Sequence, residues 1–162
     1  MVSRRSGGVW FALAWAVGTG LAGMALAALG GVDVVVHWYL ALRKPAFQPP
    51  AWVFGPAWSV IFALAAWAFV RAWRGGGRAD LVLAYVINGV LNAAWTGLFF
   101  GLQRIDFALA EVGPLWLSVL AMALIARRRD AVAGWLLLPY LAWVAFAAVL
   151  NYEIWRLNGA GS

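Results

Sequence analysis

Five apolar stretches, each long enough to cross a lipid bilayer, constrain the fold of this chain more than any other feature. They cover residues 9–29, 51–70, 81–103, 105–126 and 131–152. A transmembrane helix needs about 20 consecutive apolar residues. The stretches are apolar on every side, whereas the strands of a membrane barrel alternate. The sequence therefore predicts an all-α, polytopic membrane protein: a bundle of five transmembrane helices that uses residues 1–162 as a single domain.

The composition excludes most conventional chemistry. The chain has no cysteine and one histidine, His37, which has no second candidate ligand beside it, so neither a metal site nor a cofactor is expected. No serine or threonine has a histidine in register to act as its base. The net charge of +6 is interpreted as a signal of membrane topology, so no nucleic-acid partner is expected.

The cations are divided unequally between the two ends of the predicted bundle. Eight lie at one end and four at the other: Arg4, Arg5, Arg71, Arg74, Arg78 and Arg127 to Arg129, against Arg43, Lys44, Arg104 and Arg156. The positive-inside rule then predicts a cytoplasmic N-terminus. Eleven of the twelve cations are arginine, a bias typical of GC-rich bacterial genomes, and a bacterial cell membrane is the predicted location.

Two asparagines lie in the middle of the third predicted span. Asn88 and Asn92 share a helix face with Tyr85, Trp95 and Phe99, and must face protein or a cavity because an unpaired amide in hydrocarbon is costly. Interhelical hydrogen bonding and ligand contact are equally compatible with both asparagines.

Glu111 lies about a turn and a half inside the fourth predicted span. An intramembrane carboxylate often has a functional role, but we interpret Glu111 first as structural, reaching the interface or pairing with Arg104. Farther along the chain, Gly97 and Gly101 form a small-xxx-small pair. This pair could serve as a homodimer face or pack within the bundle.

Twelve tryptophans make up the other unusual feature. Six of them lie near the ends of spans, where an aromatic belt explains them: Trp10, Trp38, Trp52, Trp73, Trp135 and Trp155. Trp58, Trp95 and Trp143 are deeper or face inward. Aromatic faces together with a few amides suit a flat, largely apolar ligand such as a tetrapyrrole.

The connection into the second span is stiff and specific. It reads Lys-Pro-Ala-Phe-Gln-Pro-Pro-Ala-Trp-Val-Phe-Gly-Pro-Ala-Trp over residues 44–58. Pro45, Pro49 and Pro50 forbid helix before them, and a helix is expected to begin within a residue or two of Pro50. The preceding segment, 30–43, is too polar to span and is predicted to cap the bundle at the interface, with Trp38 and Tyr39 at headgroup level.

Four segments, in order, resemble the TspO/MBR family (translocator protein, or tryptophan-rich sensory protein). The first is the Lys-Pro to Gly-Pro-x-Trp stretch at 44–58. The others are Leu-Asn-Ala-Ala-Trp at 91–95 with Phe-Phe-Gly at 99–101, Pro-Tyr-Leu-Ala-Trp at 139–143, and Leu-Asn-Tyr at 150–152 with Trp-Arg at 155–156.

The resemblance implies a five-helix bundle whose ligand cavity is closed by the loop after the first helix. The cavity positions implied by the family are Tyr39, Pro45, Trp58, Asn92, Trp95, Trp143, Ala147 and Leu150. Trp58 and Trp143 match the tryptophans implicated in light-dependent porphyrin breakdown in bacterial members. Leu150, Tyr152 and Arg156 fit a sterol-recognition pattern of low specificity, and Arg156 is interpreted first as an interfacial anchor.

Two functions remain open at this point. The first is a membrane receptor or sensor for porphyrins and similar lipophilic ligands, with at most slow photochemistry. The second is a transporter of tetrapyrroles or sterol-like lipids across or into the membrane. The absence of repeat halves in the sequence favours the first. The expected partners are a flat lipophilic small molecule, membrane lipid and a second copy of the chain.

Overall fold

The computed structural model describes residues 2–73 and 78–159. Arg74, counted among the cations above, lies outside the described residues, as do the side chains of Arg4 and Arg5. The described residues contain α-helices, one 3-10 turn and one π-helical turn, and no strand.

Five long apolar segments satisfy the length and composition of membrane spans, which confirms the all-α bundle. They are Ser6–Gly30, Ala51–Ala72, Ala79–Gly101, Ile105–Arg127 and Ala131–Asn158. In chain order the helices are α1 (Val2–Ala27), α2 (Val32–Ala41), α3 (Ala51–Ala72), α4 (Ala79–Thr96), α5 (Ile105–Arg127), α6 (Ala131–Leu136) and α7 (Leu138–Asn158). The 3-10 turn Ala28–Gly30 follows α1, and the π-helical turn Gly97–Gly101 follows α4.

The helices are joined by short connections but do not all pack in chain order. Helix α1 packs against α3 and α4, and α5 packs against α4 and α7. Three residues, 102–104, join the π-helical turn to α5, so α4 and α5 are antiparallel, as the short turn predicts. Helix α3 begins at Ala51, directly after Pro50, as expected from the fixed backbone of proline.

A densely packed aromatic core fills the half of the bundle that is remote from α2. Phe11 stacks on Phe69 with ring centroids 4.5 Å apart, and Tyr85 meets Phe69 edge to face at 4.8 Å. Trp15 donates its indole N–H to the carbonyl of Tyr85 at 2.6 Å, and the Tyr85 hydroxyl donates to the carbonyl of Ala65 at 2.8 Å. These contacts join α1, α3 and α4 and leave little empty space in this half.

Ion pairs lie at both ends of the bundle. At the end remote from α2, Arg71 pairs with Asp130 at 2.9 Å and Arg129 with Asp80 at 2.5 Å. At the α2 end, Arg104 pairs with Asp106 at 2.6 Å and Arg156 with Glu153 at 2.7 Å. Charged side chains thus meet their counter-ions where the chain leaves the hydrocarbon.

Candidate functional site

The half of the bundle on the α2 side contains a cavity of about 480 Å³. This volume is within the range of pockets that enclose a small organic ligand. Eight of its lining residues are aromatic: Tyr39, Phe54, Trp58, Phe62, Trp95, Phe99, Phe100 and Trp143. Of the described residues that line it, none carries a charge, and the polar ones are Thr19, Asn92, Thr96 and Asn151. The site therefore suits an apolar ligand with few polar groups.

The structure brings together most of the residues named from the sequence. Seven of the eight line the cavity: Tyr39, Trp58, Asn92, Trp95, Trp143, Ala147 and Leu150. Pro45 is not among the lining residues; it belongs to the connection between α2 and α3. Tyr39 belongs to α2, and the other six lie on α3, α4 and α7, whose helical periodicity puts them on inward faces.

Trp58 and Trp143 form one corner of the cavity. Their ring centroids are 6.4 Å apart with an interplanar angle of 82°, so the two indoles meet edge to face. Tyr140 packs against Trp58 with a centroid distance of 5.9 Å, and Phe54 against Trp143 with 5.8 Å. Within the described part of the chain, neither indole N–H of this pair has a hydrogen-bond acceptor. Both N–H groups are therefore available to a ligand.

Trp95 differs from Trp58 and Trp143 because its indole N–H has an acceptor within the protein. It stacks on Phe99 with centroids 5.2 Å apart, and its indole N–H donates to Oδ1 of Asn151 at 3.2 Å. Asn151 in turn donates from Nδ2 to the carbonyl of Ile105 at 3.1 Å. These bonds fix the ring of Trp95, so it can serve as a rigid wall against which a ligand packs.

A hydrogen-bonded chain runs from the cavity wall into the bundle. Asn92 donates from Nδ2 to the Tyr140 hydroxyl at 2.8 Å, and that hydroxyl donates to Oδ1 of Asn88 at 3.0 Å. Asn88 donates to the hydroxyl of Ser118 at 2.8 Å, which donates to the carbonyl of Leu115 at 2.7 Å. Asn88 thus serves interhelical bonding alone, whereas Asn92 serves it and also lines the cavity.

Helix α2 and the connection after it close the cavity on one side. Tyr39 lines the cavity and receives a hydrogen bond from Nε2 of Gln48 at 3.1 Å. Burial raises the pKa of the Tyr39 hydroxyl and the bond from Gln48 opposes that rise. Lys44 donates to the Tyr39 carbonyl at 2.5 Å and lies 4.6 Å from the centre of its ring. Asn158 ties the connection to α7 by accepting from the Arg43 N–H and donating to the Arg43 carbonyl, both at 2.9 Å.

Two expectations from the sequence need correction, and the structure decides between two alternatives for a third feature. Trp38, assigned to the aromatic belt, packs inward against Phe99 with ring centroids 5.7 Å apart. Glu111 does not pair with Arg104, because Arg104 forms two bonds to Asp106, and neither oxygen of Glu111 has a partner among the described residues. Of the two alternatives for the Gly97–Gly101 pair, the structure shows packing within the bundle, because both glycines lie against Leu26 of α1.

The sterol-like pattern does not form one surface. Leu150 is buried and lines the cavity, whereas Tyr152 is 47% exposed on the other side of α7. Arg156 pairs with Glu153 at the helix end. Residues two apart on a helix point in nearly opposite directions, so the pattern is split between the cavity and the outer surface.

Two cavity contributions were missed by the sequence analysis. Thr19, Gly20, Gly23 and Met24 of α1 line the cavity. Phe54 and Phe100 also line it. For Phe54 the spacing was the available signal, because residues 54 and 58 are four apart and therefore on one helix face. Phe100 is five residues after Trp95 and lies in the π-helical turn.

Fold and cavity together define the class: an integral, multi-pass helical membrane protein with an internal, uncharged aromatic pocket. The profile of the TspO/MBR family matches residues 9–156. The chain belongs to this family, as the four sequence segments indicated.

Similar proteins occur in bacteria and in mammals. The chain is 39% identical over 122 residues to the tryptophan-rich sensory protein of Cereibacter sphaeroides, covering 75% of this chain and 77% of that protein. It is 36% identical to protein CrtK of Rhodobacter capsulatus over 138 residues, covering 81% of this chain and 84% of CrtK. It is also 36% identical to the translocator protein of Sus scrofa over 128 residues, which cover 76% of each chain.

Proposed function

We propose that this protein is a membrane receptor or sensor that binds a porphyrin or a similar flat lipophilic molecule in the cavity. The observation that carries the proposal is the corner formed by Trp58 and Trp143, whose indole N–H groups lack acceptors and whose rings face an uncharged cavity. A tetrapyrrole offers a broad π-face for the rings and carboxylate or carbonyl oxygens for the N–H groups. The name of the similar protein from Cereibacter sphaeroides, a tryptophan-rich sensory protein, supports a sensory role.

Binding is tested by quenching of tryptophan fluorescence with protoporphyrin IX. Replacing Trp143 with leucine removes one wall of the corner and is expected to weaken the quench clearly. Trp10→Leu is the matched control, because Trp10 is 70% exposed on the outer face of α1. An equal loss in both variants would mean that the quench reports partitioning of porphyrin into detergent, and the assignment of the pocket would be wrong.

We further propose that bound porphyrin is degraded in light through Trp58 and Trp143. An excited porphyrin can take an electron from a neighbouring indole, which is oxidised while the porphyrin is reduced. Phenylalanine keeps an aromatic ring but is far harder to oxidise. Stacking on an aromatic ring contributes only about 0.5–1.5 kcal/mol beyond area burial. Trp58→Phe and Trp143→Phe are therefore expected to keep most of the binding and lose most of the photoconversion.

The measurement is porphyrin absorbance under illumination at matched occupancy. Trp67→Phe is the control, because Trp67 is 54% exposed and does not line the cavity. If both cavity variants degrade porphyrin as fast as the unmodified protein, the chemistry belongs to porphyrin and oxygen alone and the protein is a binder only.

One observation favours the second candidate, a transporter that moves such ligands into or across the membrane. Met24 and Ala51 line the cavity and are themselves exposed on α1 and α3, so the cavity opens toward lipid on that side. The packed core around Phe69 and Tyr85 lies beyond the other end of the cavity, which favours exchange with lipid over passage through the bundle. Flux of ligand between compartments in proteoliposomes, compared with equilibrium binding, separates the two functions.

A further inference from the structure

Glu111 is the acidic residue that lies deepest along any described membrane span. It is six residues after Ile105, so the helical rise puts it about 9 Å inside α5. Four other carboxylates on the membrane spans or their connections each meet an arginine: Asp80, Asp106, Asp130 and Glu153. Glu111 differs from these four in its surroundings.

No described residue offers Glu111 a hydrogen bond. Both carboxylate oxygens are sealed from solvent, and neither has a partner. Arg104, the nearest cation along the chain, is bound to Asp106 through two hydrogen bonds of 2.9 and 2.6 Å. An ionised carboxylate without a partner is strongly disfavoured in hydrocarbon, whereas a carboxyl group that keeps its proton carries no charge.

Leu115 links Glu111 to the cavity, because it lies one helical turn after Glu111 on the same face of α5 and lines the cavity. The carbonyl of Leu115 also ends the hydrogen-bonded chain that begins at Asn92 and passes through Tyr140, Asn88 and Ser118. Asn92 lines the cavity. The other titratable groups on the helices that pack against α5 are Arg71 of α3, Asp80 and Tyr85 of α4, and Tyr152, Glu153 and Arg156 of α7. Tyr85 donates its hydroxyl hydrogen to Ala65, and the four ionic groups are paired at the ends of the bundle.

We propose that Glu111 is a proton-binding site inside the membrane and that its protonation is linked to the occupancy of the cavity. Glu111 holds its proton when the bundle is packed as described. When the proton leaves for solvent, an unpaired negative charge remains inside α5, one turn from Leu115. The helix must then shift to bring that charge toward water, and the shift disturbs the hydrogen-bonded chain and the cavity wall. The linkage rests on the proposed ligand binding; the proton site itself does not.

Infrared spectroscopy of the protein in lipid bilayers tests the proton site without any ligand. At neutral pH we expect the carbonyl stretch of a protonated carboxyl group in the unmodified protein and in Glu153→Gln. The band should be missing in Glu111→Gln and should disappear from the unmodified protein as the pH is raised. A spectrum of the unmodified protein without this band would mean that Glu111 is ionised, and the proposal would be overturned.

The linkage is tested by measuring protoporphyrin IX affinity against pH. Glutamine mimics the protonated carboxyl group at every pH, so Glu111→Gln corrects for the titration of the porphyrin itself. Relative to this variant, the unmodified protein should lose affinity above the titration midpoint, at most about tenfold per pH unit. Affinity and proton uptake are reciprocal, so porphyrin should also move the disappearance of the infrared band to higher pH.

The outcomes are distinguishable. Parallel affinity profiles, together with a band that porphyrin does not shift, would overturn the linkage. If neither the unmodified protein nor Glu111→Gln binds porphyrin, the proposed function is overturned. The infrared band would still show whether Glu111 holds a proton. If Glu111→Gln does not fold, the shift of the band by porphyrin in the unmodified protein decides the linkage on its own.

Discussion

At the scale of single residues, the inward-facing tryptophans differ in whether a protein group accepts a hydrogen bond from the indole N–H. The indole N–H groups of Trp15 and Trp95 are bound to acceptors 70 and 56 residues away in the chain. Those of Trp58 and Trp143 have no acceptor among the described residues. Because both rings line the cavity, a ligand there can supply the acceptor that the described protein groups do not. The pair is therefore where we expect a ligand acceptor to bind.

Helical spacing predicted the inward faces but could not predict these partners. Asn88 and Asn92 were expected to face protein or a cavity, and their positions seven and three residues before Trp95 were enough for that inference. The acceptors of Trp15 and Trp95 depend on which helices become neighbours, and no local pattern encodes that. The same limit explains Glu111, whose expected partner Arg104 is nearer in sequence to Asp106.

Tyr140 is predicted to be the residue on which the interior hydrogen-bonded chain depends. Tyr140→Phe removes one hydroxyl and leaves both Asn92 Nδ2 and Asn88 Oδ1 without their present partner. Unpaired buried polar groups cost about 1–3 kcal/mol, and interhelical hydrogen bonds in membranes average about 0.6 kcal/mol. A loss of about 1–2 kcal/mol in the free energy of unfolding is expected, measured by denaturation in mixed micelles.

Tyr152→Phe is the matched control for this substitution. Tyr152 is 47% exposed, and its hydroxyl forms no hydrogen bond within the described residues. Its removal should leave the free energy of unfolding unchanged. If both substitutions lower the free energy of unfolding equally, the loss does not come from the hydrogen-bonded chain through Tyr140.

At the scale of elements, the end of α4 is the largest departure from a regular helix. The apolar stretch 81–103 predicts one continuous helix, but the backbone widens into a π-helical turn over Gly97–Gly101. This turn lets Gly97 and Gly101 approach Leu26 of α1 and puts Phe99 and Phe100 on the cavity wall. Such turns are frequent at functional sites. The hydrophobic pattern gives no sign of the turn. Leu98, Phe99 and Phe100 are all apolar, so the pattern is the same for an α-helix and for a π-helical turn.

Gly101→Ala is expected to destabilise the junction of α1 and α4. A Cβ at Gly101 would collide with the backbone carbonyl oxygen of Leu26, which cannot move as a side chain can. Overpacking of this kind costs about 1–3 kcal/mol. At Gly97 the Cβ would lie 3.0 Å from Cβ of Leu26, so Gly97→Ala should cost less. The measurement is again the free energy of unfolding.

Gly113→Ala calibrates this comparison. A Cβ at Gly113 meets nothing within 4 Å, and alanine is favoured over glycine inside a helix by about 0.5–1 kcal/mol. We expect it to be neutral or slightly stabilising. If Gly113→Ala is as destabilising as Gly101→Ala, the close approach to Leu26 is not what requires glycine.

The segment after α1 shows what proline and composition can predict for an element. The prolines correctly indicated that α3 begins after Pro50, because the constraint is local. The preceding cap was predicted from its polarity, but its helical form, α2 (Val32–Ala41), was not. The bonds of Asn158 to Arg43 join positions 115 residues apart and hold the connection against α7. They follow from the closed bundle and not from the segment's own sequence.

At the scale of the whole molecule, the bundle has two unlike halves. One is filled by the core around Phe11, Trp15, Phe69 and Tyr85, and the other contains the cavity beneath α2. The five spans and the short connections could be predicted from hydropathy alone. The division into a packed half and an open half could not, because it depends on where large side chains on different helices meet.

The same two ends define the predicted orientation in the membrane. The end remote from α2 carries Arg71, Arg78 and Arg127 to Arg129 among the described residues, and the α2 end carries Arg43, Lys44, Arg104 and Arg156. By the positive-inside rule, we expect the cavity and α2 to face away from the cytoplasm. A ligand would then reach the cavity from the outer leaflet or from the compartment outside the cell membrane.

Labelling of single cysteines tests this orientation, and the natural chain needs no background substitutions because it has no cysteine. Arg128→Cys and Leu102→Cys put one thiol at each end; both positions are exposed. In intact bacterial cells, a membrane-impermeant maleimide should label Leu102→Cys and spare Arg128→Cys until the cells are permeabilised. The opposite pattern would overturn the orientation and place α2 and the cavity on the cytoplasmic side. Labelling of both positions in intact cells would show that the eight-to-four division of cations does not fix a single topology.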